Sequence, residues 1–332
     1  QKGKEKISKS KGGAEPIVEA AVTYGVDAMR LYYLHIGSPF VDIEWDPETV
    51  LKYKNRVINI WKLIQQLSTL PDKKQQNLDN WLQSTLQRRV HKILDAFETL
   101  DLRVASNEIY FEIHKDLQWY LKRGGAEKSL LMQAVRTWII LMAPITPHLA
   151  EELWATHGYP PFVSNETYPT FNPEEISEKD EVGEYLLTGV IEDINEIVKV
   201  TKMTPKKICI YTSPAWKQHI YRKALQQSDQ KTFNVGQLIK ETLADPAMKP
   251  LGQQVSQFVG KLAAEIKMLN ERDRGRFLIA IDEKAHLSDA APYLSDVFRC
   301  SVEIYCADQE DLYDPAKKTK FASPLRPAIY IE

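Results

Sequence analysis

The stretch Ala143-Pro144-Ile145-Thr146-Pro147-His148-Leu149-Ala150-Glu151-Glu152-Leu153-Trp154 reads as a sharp corner between two helices. Pro144 breaks the helix before it, and Pro147 opens the one after it, where the N–H that proline lacks has no helical partner anyway. Thr146 stands where a hydroxyl caps the new helix. Glu151 and Glu152 lie towards the end at which the helix dipole accepts negative charge. His148 has neither an acid nor a nucleophile beside it in sequence, so a structural role is predicted for it.

Upstream of that corner the chain is helical in period. Val50, Tyr53, Val57, Ile60, Trp61, Ile64 and Leu67 recur at three and four residues from Pro47 on, and Leu70-Pro71-Asp72 ends the pattern. A second stripe, from about Asn77, runs Leu78, Leu82, Leu86, Val90, Ile93, Phe97 and Leu100, with Arg88, Arg89 and Lys92 on other faces. A third helix is predicted over about Arg103–Lys122, closed by Arg123-Gly124-Gly125. A fourth, about Glu127–Met142, carries Leu130, Leu131, Ala134, Val135, Trp138 and Ile139.

Downstream, 159–178 is rich in Pro, Asn and Ser without a period and reads as a surface loop. A long helix follows over about Glu181–Thr201. Beyond Pro205 the composition changes. Strands are predicted at 207–211, 276–281, 301–306 and 328–331, and helices near Ala215–Gln226, Val235–Leu243, Gly252–Met268 and His286–Phe298. The expected fold is therefore a mainly α helical bundle followed by a small α/β C-terminal domain. The predicted boundaries are 1–46, 47–180 and 181–332. The last of these segments shows no glycine-rich phosphate loop and no metal-spaced cluster.

With 43 Lys and Arg against 45 Asp and Glu, the 332 residues carry a net charge of −2. Any nucleic-acid surface must then come from local clustering, since a global basic field is absent. Cys209, Cys300 and Cys306 form no C-x-x-C pair and lie in apolar stretches, which fits reduced core residues of a cytoplasmic protein. No apolar run is long enough for a membrane span, and the polar, lysine-rich start does not read as a secretory leader. The opening on Gln1 suggests an excised C-terminal piece, or the smaller part of a split enzyme.

That start holds Lys6-Ile7-Ser8-Lys9-Ser10-Lys11-Gly12-Gly13. Ammonium groups of Lys6 and Lys9 with hydroxyls between them and glycines behind suit a polyphosphate, whose charge they follow as a bond breaks. By composition alone the run fits a solvated basic tail equally well.

The run K-I-S-K-S-K-G resembles the KMSKS loop of class I aminoacyl-tRNA synthetases, with Ile7 at the usual Met position. Tyr24-Gly25-Val26-Asp27-Ala28-Met29-Arg30-Leu31 is similar to the family's Y-G-A-D-A-L-R-L, and the Ala143–Trp154 corner resembles the A-P-x-x-P-H-x-A-E-E-L-W segment of the leucyl, isoleucyl and valyl group. His35-Ile36-Gly37-Ser38 imitates the other class I signature, H-I-G-H, but follows the loop and lacks the second His, so a packing role is expected for His35. Asp79-Asn80-Trp81-Leu82-Gln83-Ser84, Lys115–Arg123 and the ending Arg326-Pro327-Ala328-Ile329-Tyr330-Ile331-Glu332 make the archaeal and eukaryotic form of leucyl-tRNA synthetase the best match.

The resemblance implies that Lys9 acts catalytically on the departing pyrophosphate of ATP, with Lys6, Ser8 and Ser10 shaping the ATP-binding loop. Magnesium would arrive with the ATP, and no metal ligand is assigned here. It also implies tRNA(Leu) as partner, with Arg88, Arg89, Lys92, Lys115, Lys122 and Arg123 as candidate phosphate contacts. Ile331 and Glu332 are implied to lie near unpaired bases of the long variable arm, with Lys317, Lys318 and Lys320 supplying charge nearby. Without the nucleotide-binding fold, the H-I-G-H motif and the editing insertion, which belong to missing N-terminal domains, the chain alone is expected not to aminoacylate. The alternatives are a stand-alone tRNA-binding subunit with a relic loop, an isoleucyl or valyl member, and a helical scaffold that binds no RNA.

Overall fold

The computed structural model describes residues 16–37, 43–70, 72–73, 76–229 and 233–332. The Lys6–Gly13 loop, with Lys6, Ser8, Lys9 and Ser10, lies outside the described residues. The chain divides into two compact units, Gln1–Ser177 and Glu178–Glu332.

In the first unit the described residues form α1 (Ile17–Tyr24), α2 (Val26–Ile36), α3 (Pro47–Leu67), α4 (Gln76–Glu98), α5 (Leu102–Asn107), α6 (Ile113–Lys122), α7 (Lys128–Met142) and α8 (Pro147–Thr156). Asp46 caps α3 by accepting the Glu48 N–H at 3.2 Å, and Pro47 takes the first helical position. Val50, Tyr53, Ile60, Ile64 and Leu67 are then buried along one face, as the period requires. The second half of α7 is buried on every side, from Trp138 to Met142, which makes it the centre of the unit.

The single helix expected over 103–122 is divided. A π-helical turn, Glu108–Glu112, separates α5 from α6 and buries Glu108, Ile109 and Tyr110 together. The buried Trp138 indole needs an acceptor and donates Nε1–H to the Ile109 carbonyl at 2.6 Å, inside the widened turn.

Thr146 does not cap α8. Its hydroxyl shares a 2.7 Å hydrogen bond with the Tyr110 hydroxyl, and no side-chain bond from Thr146 closes the helix end. The cap comes from α2: Asp27 Oδ2 accepts the Leu149 N–H at 2.6 Å, and Oδ1 lies 2.9 Å from His148 Nδ1. Glu151 also does more than face a dipole, since its carboxylate accepts the N–H groups of Val163 and Ser164 at 2.9 and 3.2 Å. His35 packs as expected, 2.6 Å from the Tyr53 hydroxyl and stacked on Phe111 at 4.7 Å.

The second unit runs α9 (Glu178–Thr201), β1 (Lys207–Thr212), α10 (Ala215–Asp229), α11 (Val235–Leu243), α12 (Gly252–Met268), α13 (Glu271–Leu278), α14 (Glu283–Phe298), β2 (Ser301–Cys306) and β3 (Ala328–Ile331). The sheet has the order β2-β1-β3, with β1 parallel to β2 and antiparallel to β3. Ile208, Cys209, Ile210 and Tyr211 on the central strand are fully buried.

The strand expected at 276–281 does not form: 276–278 is the end of α13, and 279–281 is irregular chain leading to α14. Asn270 caps that helix by accepting the Asp273 N–H at 2.8 Å, and Glu271 and Asp273 occupy its first turn. Phe277 alone is buried on α13, stacked on Tyr221 at 4.6 Å.

Among the described residues no helix is long and apolar enough to cross a membrane, and no cluster of His, Cys, Asp and Glu could hold a metal ion. All three cysteines are free.

Candidate nucleic-acid interface

Six basic residues of the first unit were expected to meet phosphate, and the structure separates them by what they touch. Arg89 and Arg88 are neighbours on α4 with different surroundings. The Arg89 guanidinium lies 2.8 Å from Glu108, 2.8 Å from Asp116 and 3.6 Å from Glu112. It is mostly buried, and the carboxylates around it outweigh the burial that would otherwise favour its neutral form, so it stays charged. Desolvation pulls Asp116 the other way, raising it, with Arg89 opposing. A guanidinium engaged by three carboxylates holds the π-helical turn against α4 and is not presented to a ligand.

Lys92 pairs with Glu108 at 2.5 Å from the rim of the same cluster, its own side chain 57% exposed. Arg88 is exposed on α4. On α6, Lys115 and Lys122 are both exposed and lie seven residues apart, hence on one face, with Trp119 between them. Lys115 reaches Glu112 at 2.6 Å. Lys122 has no ion pair among the described residues, and Arg123 follows it, half-buried at the helix end. The structure thus brings Arg88 and Lys92 onto α4 and Lys115, Lys122 and Arg123 onto α6, and turns Arg89 inward.

In the second unit Ile331 is part of β3, opposite Ile208 on β1, and is half-buried. Glu332 extends the pairing: its N–H donates to the Lys207 carbonyl at 2.9 Å, and its carbonyl accepts from the N–H groups of Lys206 and Lys207 at 2.6 and 3.2 Å. The Glu332 carboxylate accepts from the Tyr313 hydroxyl at 3.3 Å, and the Lys207 ammonium sits 4.5 Å from the Tyr313 ring while pairing with Glu303 at 2.9 Å. Tyr313 is itself 42% exposed. The chain end is therefore fixed backbone carrying an exposed aromatic ring and a carboxylate, a geometry able to stack and accept from an unpaired base. Asp314 holds the 317–320 segment by accepting the N–H groups of Lys318 and Thr319 at 2.7 and 3.0 Å.

Two residues that the sequence reading left without a role organise the first unit. Besides the Asp27 cap, Arg30 of α2 donates to the carbonyls of Ile145 and Pro144 at 2.8 and 3.0 Å. The second helix after the lysine-rich loop in sequence, α2, is thus bound to the proline corner through one carboxylate and one guanidinium. The signal was present as two separate motifs, Y-G-V-D-A-M-R-L and A-P-I-T-P-H, without any mark that they meet.

Residues 79–210 match the family described as the anticodon-binding domain of tRNA ligase. The leucine–tRNA ligase of Methanococcoides burtonii is 37% identical over 335 residues, covering 98% of this chain and 34% of that protein. The leucine–tRNA ligase of Methanosarcina acetivorans is 36% identical over 335 residues, covering 99% of this chain and 34% of the relative. A solved structure, the LeuRS of Agrobacterium radiobacter K84 in a ternary complex with tRNA and LeuAMS, is similar with a TM-score of 0.45 at 27% identity, over 52% of this chain and 23% of that one. The chain spans about a third of the length of the curated relatives it matches. With its two signature stretches joined through Asp27 and Arg30, the chain is similar along nearly every one of its residues to a part, about a third in length, of these leucine–tRNA ligases.

Proposed function

We propose that this chain is the tRNA-holding part of a leucine–tRNA ligase: it grips tRNA(Leu), its long variable arm included, and lends the Lys6–Gly13 loop to ATP-dependent activation of leucine. The observation that carries the reading is the identity of 36–37% to leucine–tRNA ligases over 98–99% of the chain. The Asp27 and Arg30 contacts support it, because they hold α2, close after the loop in sequence, against the bundle expected to carry tRNA.

In this reading Lys9 carries positive charge to the pyrophosphate as it leaves the α-phosphate of ATP, which the leucine carboxylate attacks to form leucyl-adenylate. Lys6, Ser8 and Ser10 set the loop around ATP, which brings its own Mg²⁺. A charge placed where negative charge develops is worth a few kcal/mol, on the order of 10²–10³ in rate. Arg88, Lys92, Lys115, Lys122 and Arg123 position the RNA through phosphates, and Ile331 with Glu332 lies against the variable arm. The nucleotide-binding and editing work belongs to other parts of the full-length enzyme, so these 332 residues do not aminoacylate by themselves. The setting is the cytoplasm.

The test is a gel shift with leucine tRNA at low salt, intact and with its long arm trimmed. Retardation of the intact tRNA, weaker for the trimmed one and steeply lost with salt, is the expected result. No retardation at low salt overturns the proposal, and leucyl-tRNA formed by the chain alone from ATP, leucine and tRNA overturns the division of labour.

A further inference from the structure

The second unit holds a cavity of about 920 Å³ for which the function proposed above gives no role, although Lys320 and Arg326 from near the chain end help line it. That volume is within the range of small-molecule sites. Part of the lining is aromatic: Trp216 on α10 meets Phe258 on α12 edge to face, ring centres 5.7 Å apart, and Phe321, 62% exposed, lines it too. The other lining feature is charge. Lys217, Lys261, Lys320 and Arg326 face Glu265 and Asp308, an excess of cations. Arg326 is paired with Glu265 at 2.8 Å. Among the described residues Lys217, Lys261 and Lys320 have no carboxylate partner.

Lys217 is the informative member. It is only 9% exposed, and its ammonium donates to the carbonyls of Ala322 at 2.6 Å and Lys320 at 3.4 Å. An ammonium has three N–H donors, so one is left unclaimed. Its nitrogen lies 5.7 Å from the Trp216 ring and 5.6 Å from the Phe258 ring. Burial, and then the charge of Lys261, push its pKa down. An anion between the two lysines relieves that repulsion and supplies the absent counter-charge.

We propose that this cavity is a nucleotide subsite, in which an unstacked base lies against Trp216, Phe258 and Phe321 while its phosphate is held by Lys217, Lys261 and Lys320. Two sources share that chemistry, a free mononucleotide and a nucleotide within an RNA strand. The second rests on the tRNA-holding role proposed above. Aromatic faces that take any base and ammonium groups that follow the backbone are what sequence-tolerant single-strand binding requires.

The test is titration calorimetry of the full 332-residue chain with AMP, a uridylate pentamer and inorganic phosphate, repeated on Lys261→Glu and Phe321→Ala. Both substituted residues are exposed, and a melting curve confirms that each variant folds. The expected result is binding of AMP or the pentamer at least tenfold tighter than phosphate. Lys261→Glu weakens it about tenfold or more, and Phe321→Ala, which removes a stacking face, roughly fivefold or more. Comparable affinity for AMP and pentamer assigns the site to free nucleotides, and a pentamer preference above tenfold assigns it to RNA. Absence of binding by both, phosphate binding as tightly as AMP, or variants indistinguishable from the parent overturn the proposal. The gel shift with leucine tRNA on the same proteins keeps the two proposals apart: a tRNA shift that survives with an empty cavity sinks the subsite alone, and cavity binding without a tRNA shift sinks the tRNA-holding role alone.

Discussion

The Asp27 carboxylate accepts the Leu149 N–H at 2.6 Å across 122 positions of sequence, closing the N-terminus of α8 from α2. Because the carboxylate is only 8% exposed, the bond is shielded from water on both sides. Removing it strands a helix-end donor and takes away a negative charge that the dipole favours. Asp27→Ala is expected to destabilise the chain by roughly 1–3 kcal/mol. Asp27→Asn, which keeps one acceptor, should lose less. Urea unfolding of both variants checks the order, and an alanine variant as stable as the parent contradicts the role given to this residue.

Arg89 and Arg88 offer a second separation. Arg89→Ala leaves Glu108, with 1% of its side chain exposed, facing only Lys92, and leaves Asp116 without its principal partner. A loss of roughly 3–5 kcal/mol follows for breaking a buried ionic cluster from one side. Arg88→Ala, on the exposed face, should shift the melting temperature little and act on tRNA affinity instead. Melting curves and gel shifts on the two variants give opposite patterns if the assignment holds.

The distinction between these neighbours marks where sequence reading stopped. Charge is visible in R-R-V-H-K, but the partners that disarm one arginine lie 19 and 27 residues away on the π-helical turn and α6. That turn was invisible for a related reason, since the apolar period from Tyr110 to Leu121 continues through it. By contrast Val235–Leu243 and Gly252–Met268 form over their expected residues, and strands form at 207–212, 301–306 and 328–331, because period and helix breakers suffice for local elements. The stretch 276–281 failed because its apolar residues suggested a strand while the decisive cap, Asn270, lay outside the window. Asp27 with Leu149 belongs to no window at all.

The two units should respond oppositely to pH. In the first, His114 is 6% exposed, and burial followed by the charge of Arg56 pushes its pKa down to about 4. A neutral histidine in the fold and an ordinary value of 6.5 once unfolded mean that a proton is taken up on unfolding. Stability is fully present above pH 6.5 and is lost as pH falls towards 4, by roughly 3 kcal/mol. In the second unit Glu283 is 2% exposed and burial raises its pKa to about 7, against the N–H groups of Leu325 and Ser213 that it accepts. Here the stabilising contribution is complete below the unfolded value of 4.5 and disappears as pH rises through 7, again roughly 3 kcal/mol. Calorimetry from pH 4 to 8 should show two components moving in opposite directions. His114→Asn should flatten the acid limb of one, and Glu283→Gln the neutral limb of the other.

Gly183 on α9 has the His286 ring of α14 against it: a Cβ added there would come within 2.3 Å of the imidazole. Both side chains of the adjoining His286 and Glu184 pair are nearly enclosed, 11% and 4% exposed, which leaves the ring little room to retreat. Helix propensity favours alanine by about 1 kcal/mol, whereas forcing the ring aside costs about 1–3 kcal/mol. Gly183→Ala should therefore destabilise the second unit, while the same change at Gly189, further along the same helix with nothing within 4 Å, should stabilise it. Equal effects at the two positions, read from the unfolding midpoint, contradict the contact.

Lys122 gives the sharpest electrostatic test of the RNA face. It is exposed, seven residues from Lys115 on the same side of α6, and among the described residues no carboxylate neutralises it. If it meets a phosphate, Lys122→Ala removes one released counterion, so the slope of log affinity against log salt should become shallower by just under one unit. Lys115, already 2.6 Å from Glu112, should release less, and its alanine variant should change the slope by a smaller amount. Neither substitution touches the core, so melting temperatures should stay near the parent's. The measurement is the leucine tRNA gel shift at four or five salt concentrations. Unchanged slopes in both variants would place the tRNA on another face of the bundle.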